Sequence, residues 1–144
     1  MTMEKRIDEA QAREAFEAAL QSYHQDFNTF FLLKLYGMDV TYADASCTVA
    51  MPVLDFMFNP QGSLHGGVIA TLLDISMGHL LRHEVGAGAT LAMNIQYTRA
   101  TREGRVSATS RFSSRGRQIC FLQSEARDAA NVLLASATST WKVL

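Results

Sequence analysis

The segment GGVIATLLDISMGHLLRH, residues 66–83, carries apolar side chains nearly all round a helical wheel: Val68, Ile69, Leu72, Leu73, Ile75, Met77, Leu80 and Leu81. A helix without a broad polar face cannot rest on a surface and has to be enclosed. The rest of the chain must therefore supply a wrapping layer. After the Gly86-Ala87-Gly88 break the pattern changes to period two. Breaks at Arg102-Glu103-Gly104, Ser114-Arg115-Gly116 and Asp128-Ala129-Ala130-Asn131 divide it into four strands at roughly 88–100, 104–114, 117–127 and 132–142, the signature of an antiparallel meander. One long buried helix and one antiparallel sheet combine most simply as a sheet curled around the helix, an α+β class.

Upstream, residues 8–24 predict an amphipathic helix with Asp8 as N-cap and Ala12, Ala15, Phe16, Ala19, Leu20 and Tyr23 on one face. FNTFFLLKLYG predicts a short helix or turn ending at Gly37. MDVTYADASCTVAMPV splits at Ala43-Asp44 into two strands, closed by Pro52. Residues 53–65 are the one long irregular connection, a place where function often sits. With 144 residues, 48% hydrophobic, and no repeats or linkers, the chain predicts a single domain over 1–144. A net charge of -1 speaks against a nucleic-acid partner, and no apolar run approaches the roughly 20 residues of a membrane span. Cys47 and Cys120 stand far apart with no C-x-x-C, so two buried thiols are expected, and a single disulfide stays open. The charged N-terminus has no signal-peptide core, and a soluble cytoplasmic protein is expected.

The passage NPQGSLHGGVIATLLD, residues 59–74, holds the candidate chemistry. Asp74 lies inside the apolar helix, and its neighbours at helical spacing are small apart from Met77: Gly67, Ala70, Thr71 and Gly78. An enclosed carboxylate is costly and its pKa rises, a cost tolerated mainly where the group has chemistry to do; a paired or interface Asp is the alternative. At the helix start, amides lack intrahelical partners and lie at the positive end of the dipole. Gly66 and Gly67 allow close approach to them, and Asn59 and His65 add donors, together resembling an oxyanion hole. An ordinary loop with His65 capping the helix is the competing reading. From Gly66 to Asp74 is about 12 Å along a helix, so one copy cannot bring both to one carbonyl. Two antiparallel copies can, which predicts a two-fold homodimer with composite sites.

At these residues the chain resembles the hotdog-fold acyl-CoA thioesterases of the PaaI-like, phenylacetate-degradation branch. The motifs are Asn59, then Leu64-His65-Gly66-Gly67, then Asp74, then TLAMNIQYTRAT, in which Thr90 falls on the family's hydroxyl position. The resemblance covers about residues 30–142, with 1–28 a variable N-terminal helix. It implies a five- or six-stranded antiparallel sheet around helix 66–83. It further implies that Gly66 N–H and Asn59 bind the thioester oxygen and that His65 supports the loop or the substrate. Asp74 of the partner subunit would be general base or nucleophile, and Thr90, from that same subunit, would position water. Gly78 stands where a related branch has Thr, which matches the branch using Asp. Such families are dimers that often pair into tetramers.

The activity so implied is hydrolysis of an aryl- or medium-chain acyl-CoA, with coenzyme A as part of the substrate and no other cofactor. Phe56, Met57, Phe58 and Tyr97 would line its aromatic or medium-chain acyl pocket, or else belong to the core or an interface. Arg99, Arg102, Arg105, Arg111, Arg115 and Arg117 form a basic concentration; Arg115 and Arg117 in SSRGRQ are the candidates for the coenzyme A phosphates, with Gly67 a further substrate contact. His79 and His83 have an i,i+4 zinc spacing but no third ligand, so no metal is expected. A hydroxyacyl dehydratase and a non-catalytic acyl-CoA sensor are the alternatives on the same scaffold.

Overall fold

The computed structural model describes residues 5–144. Helix α1 (Glu9–Ser22) is capped by Asp8, whose carboxylate accepts from Gln11 N–H, and a short α2 (Phe31–Leu35) ends before Gly37, at φ 65°. Strands β1 (Asp39–Ala43) and β2 (Ser46–Pro52) form a hairpin whose turn places Ala45 at φ 55°. A single 3-10 turn, Asp55–Met57, interrupts the irregular stretch before α3 (Gly66–Glu84). Strands β3 (Gly88–Tyr97), β4 (Arg105–Arg115), β5 (Ile119–Asp128) and β6 (Leu133–Val143) complete the chain. Leu72, Leu73, Met77, Leu80 and Leu81 of α3 are fully buried against the sheet, each contributing about 1.5–3 kcal/mol by its removal from water. Cys47 and Cys120 are both free and buried.

All six strands join one antiparallel sheet in the order β1-β2-β4-β5-β6-β3. The expected four-strand meander is corrected here: β4, β5 and β6 form one, but β3 lies at the far edge beside β6. The physical reason is the connection 98–104. Thr98 and Arg99 amides both turn onto the Leu134 carbonyl, ending β3 at Tyr97 rather than near residue 100. The chain then crosses to the other half of the sheet, where Thr101 C=O accepts from Leu64 N–H (2.9 Å) and Gly104 C=O from Val53 N–H (2.8 Å). This crossover stitches down both ends of the irregular stretch preceding α3.

Two local features set what faces the helix. The register of β3 on β6 slips between Thr90 and Ala92, leaving Leu91 as an extra residue and 56% exposed. Thr90 and Tyr97 are seven positions apart, so in an unbroken strand they would face opposite sides. The bulge turns both toward α3. Beneath the helix, three buried serines form a hydroxyl cluster. Ser76 Oγ donates to Leu73 C=O and meets Ser124 Oγ of β5, both at 2.7 Å. Ser110 Oγ of β4 donates to Ser76 C=O, also at 2.7 Å. Every hydroxyl in the cluster is thereby paired, as burial requires.

Candidate active site

Three successive amides open α3, and their fates differ. His65 N–H donates to Met57 C=O at 2.9 Å, and Gly67 N–H donates to the imidazole Nδ1 of His65 at 2.8 Å. Gly66 N–H, between them, has no acceptor among the described residues. The preceding carbonyl, His65 C=O, accepts from both Val68 and Ile69. His65 therefore caps the helix with its ring, and in its neutral form the proton sits on Nε2, an exposed donor. The Gly67 amide is already taken, which narrows the expected pair of helix-start donors to one.

Both glycines are closely approached by side chains of this chain. A Cβ at Gly66 would meet the Tyr97 ring at 3.3 Å, and one at Gly67 would meet His65 Nδ1 at 3.1 Å. The space above both Cα atoms is thus filled by side chains of this chain, and Tyr97 Oη also donates to Gly66 C=O at 2.7 Å. Asn59 lies in the preceding loop, bonded twice to Ser63: its Nδ2 donates to Ser63 Oγ (3.0 Å) and its Oδ1 accepts from Ser63 N–H (3.1 Å). One Nδ2 proton is left over. A cleft of about 240 Å³, lined by Tyr36, Phe56, Met57, Phe58, His65 and Val68, opens beside the helix start.

Asp74 is half-buried, less enclosed than the wheel suggests. Burial pushes its pKa above the ordinary carboxylate value, while a hydrogen bond from Thr90 Oγ1 to Oδ1 at 2.8 Å pulls the other way. Asp74 and Thr90 meet within one chain. They share a second cleft of about 230 Å³ with Phe27, Phe30, His79 and Trp141. The stripe of small residues is partly occupied, since Trp141 packs within 3.0 Å of where a Gly78 Cβ would sit. His79 is 1% exposed; its Nδ1 pairs with Tyr42 Oη at 2.8 Å, Phe27 packs on its ring at 4.4 Å, and burial holds its pKa below the usual imidazole value. His83 stacks on Tyr42 at 4.0 Å. A larger hollow, about 590 Å³, runs along β4 and β5 from Ser107 to Asn131 and holds none of these groups.

The clefts beside His65 and Asp74 are separate, and their polar groups stand about 12 Å apart along α3. Arg115 lies elsewhere again. Its guanidinium donates to Glu84 C=O at 3.1 Å, closing the C-terminal end of α3, and lies over the Phe112 ring. Arg117 is exposed in the same β4–β5 turn, without a side-chain partner among the described residues. Sequence reasoning missed Tyr97 at the helix start and Phe27, Phe30 and Trp141 at the Asp74 cleft. The signal for Tyr97 was its place at the end of the MNIQY run, but a bulge six residues before it, at Leu91, leaves no trace in the pattern.

The thioesterase superfamily profile matches residues 61–135, which include the helix start, Asp74 and Thr90. The medium/long-chain acyl-CoA thioesterase YigI of Salmonella typhimurium is 30% identical over 138 residues, spanning 84% of this chain and 87% of that protein. A crystal structure of a Bacillus halodurans protein with CoA superposes with a TM-score of 0.88 at 20% identity, over 97% of this chain and 95% of the other. A phenylacetic acid degradation-related protein of Ralstonia eutropha superposes with a TM-score of 0.72 at 24% identity, over 78% and 89%. No described helix is long and apolar enough to cross a membrane. By profile, sequence and architecture together, the chain belongs to the thioesterase superfamily, as a thioester hydrolase of the hotdog fold.

Proposed function

We propose that the chain hydrolyses the thioester of an aryl- or medium-chain acyl-CoA by attack of a water activated by Asp74. The observation that carries this reading is the single vacant amide, Gly66 N–H, between two satisfied ones at the start of a helix that also bears a half-buried carboxylate. Thr90 donates to Asp74 Oδ1, which leaves Oδ2 free to take a proton from water and the Thr90 oxygen free to accept a hydrogen bond from it. The hydroxide so formed adds to the thioester carbon, and the oxygen that gains charge is met by Gly66 N–H and the remaining Asn59 Nδ2 proton. Collapse expels the coenzyme A thiolate, which takes the proton from Asp74. The products are a carboxylic acid and free coenzyme A. The aromatic walls of the two clefts suit an aryl or medium-length acyl group. Arg117 is the candidate for a coenzyme A phosphate; Arg115 would have to leave Glu84 to join it.

The site is proposed to be completed by a homodimer. β3 pairs only with β6 in this sheet, so its outer edge is open, and Tyr97 near its end is 52% exposed. Thr90 touches Asp74 near one end of β3, and Tyr97 touches Gly66 at the other. If two β3 edges pair antiparallel about a two-fold axis, Thr90 and Asp74 of one protomer come beside Tyr97 and Gly66 of its twin. That arrangement supplies donor and acid to one carbonyl across the 12 Å that separates them along a single helix.

Thiol release from a panel of acyl-CoAs tests the activity, and subunit mixing tests the composite site. Asp74→Asn and a helix-start variant, Gly66→Ala, are expected each to be inactive alone. An equimolar re-associated mixture should recover about one quarter of wild-type activity, because half the dimers carry one intact site of two. A mixture as inactive as its parents overturns the shared site. Tight acyl-CoA binding with no thiol release overturns hydrolysis and leaves a sensor.

A further inference from the structure

We propose that Tyr97 is a positioning residue for this hydrolysis, acting on the oxyanion donor through the peptide next to it; the inference rests on the function proposed above. The Gly66–Gly67 peptide is held at both of its polar atoms by side chains from outside the helix. Its carbonyl accepts from Tyr97 Oη at 2.7 Å, and its N–H donates to His65 Nδ1 at 2.8 Å. On the other side of Gly66, the 65–66 peptide has its carbonyl engaged by Val68 and Ile69 and its N–H unengaged. A peptide plane fixed at two points leaves its neighbour little freedom to rotate. The first turn of a helix is otherwise where fraying begins, because its amides lack intrahelical partners. Tyr97 is thus a strut from the edge strand that holds the one vacant donor at a constant bearing. Such a donor stabilises developing charge without reorganising at the moment of reaction.

The same contact gives a reason for glycine at 66. The Tyr97 ring lies 3.3–3.4 Å from where a Cβ would be, so the strut and an alanine cannot both keep their places. Tyr97 is more than half exposed and makes its hydrogen bond with the phenol oxygen alone, so its removal leaves the core intact. The strut also stands on β3, so the bulge at Leu91 that aims Thr90 at Asp74 leaves Tyr97 aimed at Gly66.

Tyr97→Phe keeps the ring and removes the hydroxyl. The variant is expected to lose about tenfold in kcat with KM within twofold of wild type and an unchanged far-UV spectrum. Amide NMR reads the strut without any turnover: in Tyr97→Phe the Gly66 and Gly67 amide resonances should shift and the Gly66 N–H should exchange faster. If wild type releases no thiol but the amide changes appear, the strut stands and the hydrolysis fails; if wild type is active and both kcat and the amides are unmoved, the strut is wrong. Gly66→Ala with Tyr97→Phe completes a cycle read by denaturant unfolding, because Gly66→Ala leaves no activity to compare. Effects passing through one contact make the double variant no less stable than the poorer single one, whereas additive losses overturn the shared route.

Discussion

The start of α3 and its middle bear the two halves of the proposed chemistry, and they are built on opposite principles. At the start, two side chains and a backbone carbonyl of this chain have already claimed almost every polar group: the His65 ring takes the Gly67 amide, Tyr97 the Gly66 carbonyl, Met57 C=O the His65 amide, and one N–H is left over. In the middle, Asp74 has one hydroxyl partner and a cleft, and burial works against its charge. The first half is made precise by saturation, the second made reactive by deprivation. A donor aimed at developing charge gains from rigidity, while a base gains from a carboxylate that prefers to be protonated.

The difference can be broken at several points. Replacing the deprived group has the largest effect: Asp74→Asn should lower kcat by about 10²–10⁴-fold with little change in KM, as for loss of a general base, read by thiol release. The same variant should be more stable than wild type at neutral pH. An Asp with a raised folded pKa favours folding below its unfolded value, near 3.9, and loses that contribution as pH rises through the folded one. Thermal melts across pH should therefore show the Asn variant ahead at pH 7 and level with wild type in acid. An equal gap at every pH would show that the carboxylate carries no burial penalty.

Thr90→Val probes the one bond that the carboxylate does have. Because that bond lowers the Asp74 pKa, its loss should move the acidic limb of the kcat/KM profile to higher pH and lower neutral kcat by about tenfold. A limb that moves down, or stays, removes Thr90 from the site. The smallest effect is expected at the far end of the helix. Arg115→Ala should cost under about 1 kcal/mol of stability, measured by denaturant unfolding, through the lost contact with the α3 C-terminus, and leave KM for acyl-CoA unchanged. A several-fold rise in KM would show instead that Arg115 leaves Glu84 to meet the substrate.

Much of the architecture was legible in the chain because it depends on period and punctuation. The run at 66–83, apolar nearly all round, required an enclosing sheet, and the Gly and Asp-Asn breaks divided that sheet into strands close to those observed. Strand order was not legible: β3 and β4 are consecutive in the chain, and only the tertiary stitching of Thr101 and Gly104 takes them apart. At the site, the residue types drew notice to Asp74, Gly66 and Thr90, and Asp74 and Thr90 do meet. What remained hidden was direction. Whether His65 offers its ring to a ligand or to Gly67, and whether Asn59 looks outward or to Ser63, depends on torsions that no spacing encodes. The Leu91 bulge is hidden for the same reason: one extra residue inverts the parity of a strand without altering its composition.

The three serines under α3 bear on the acid more than on stability. Hydrocarbon is indifferent to how a greasy cylinder is turned about its own axis, and a cylinder oily on every side would settle at many angles with similar burial. Ser76, clasped by Ser110 and Ser124, removes that indifference. Asp74 lies two residues earlier, about 200° around the axis, and so is pointed away from the clasp. The azimuth of the reactive group is in this sense dictated from the opposite side of the rod, by hydroxyls that no substrate ever meets.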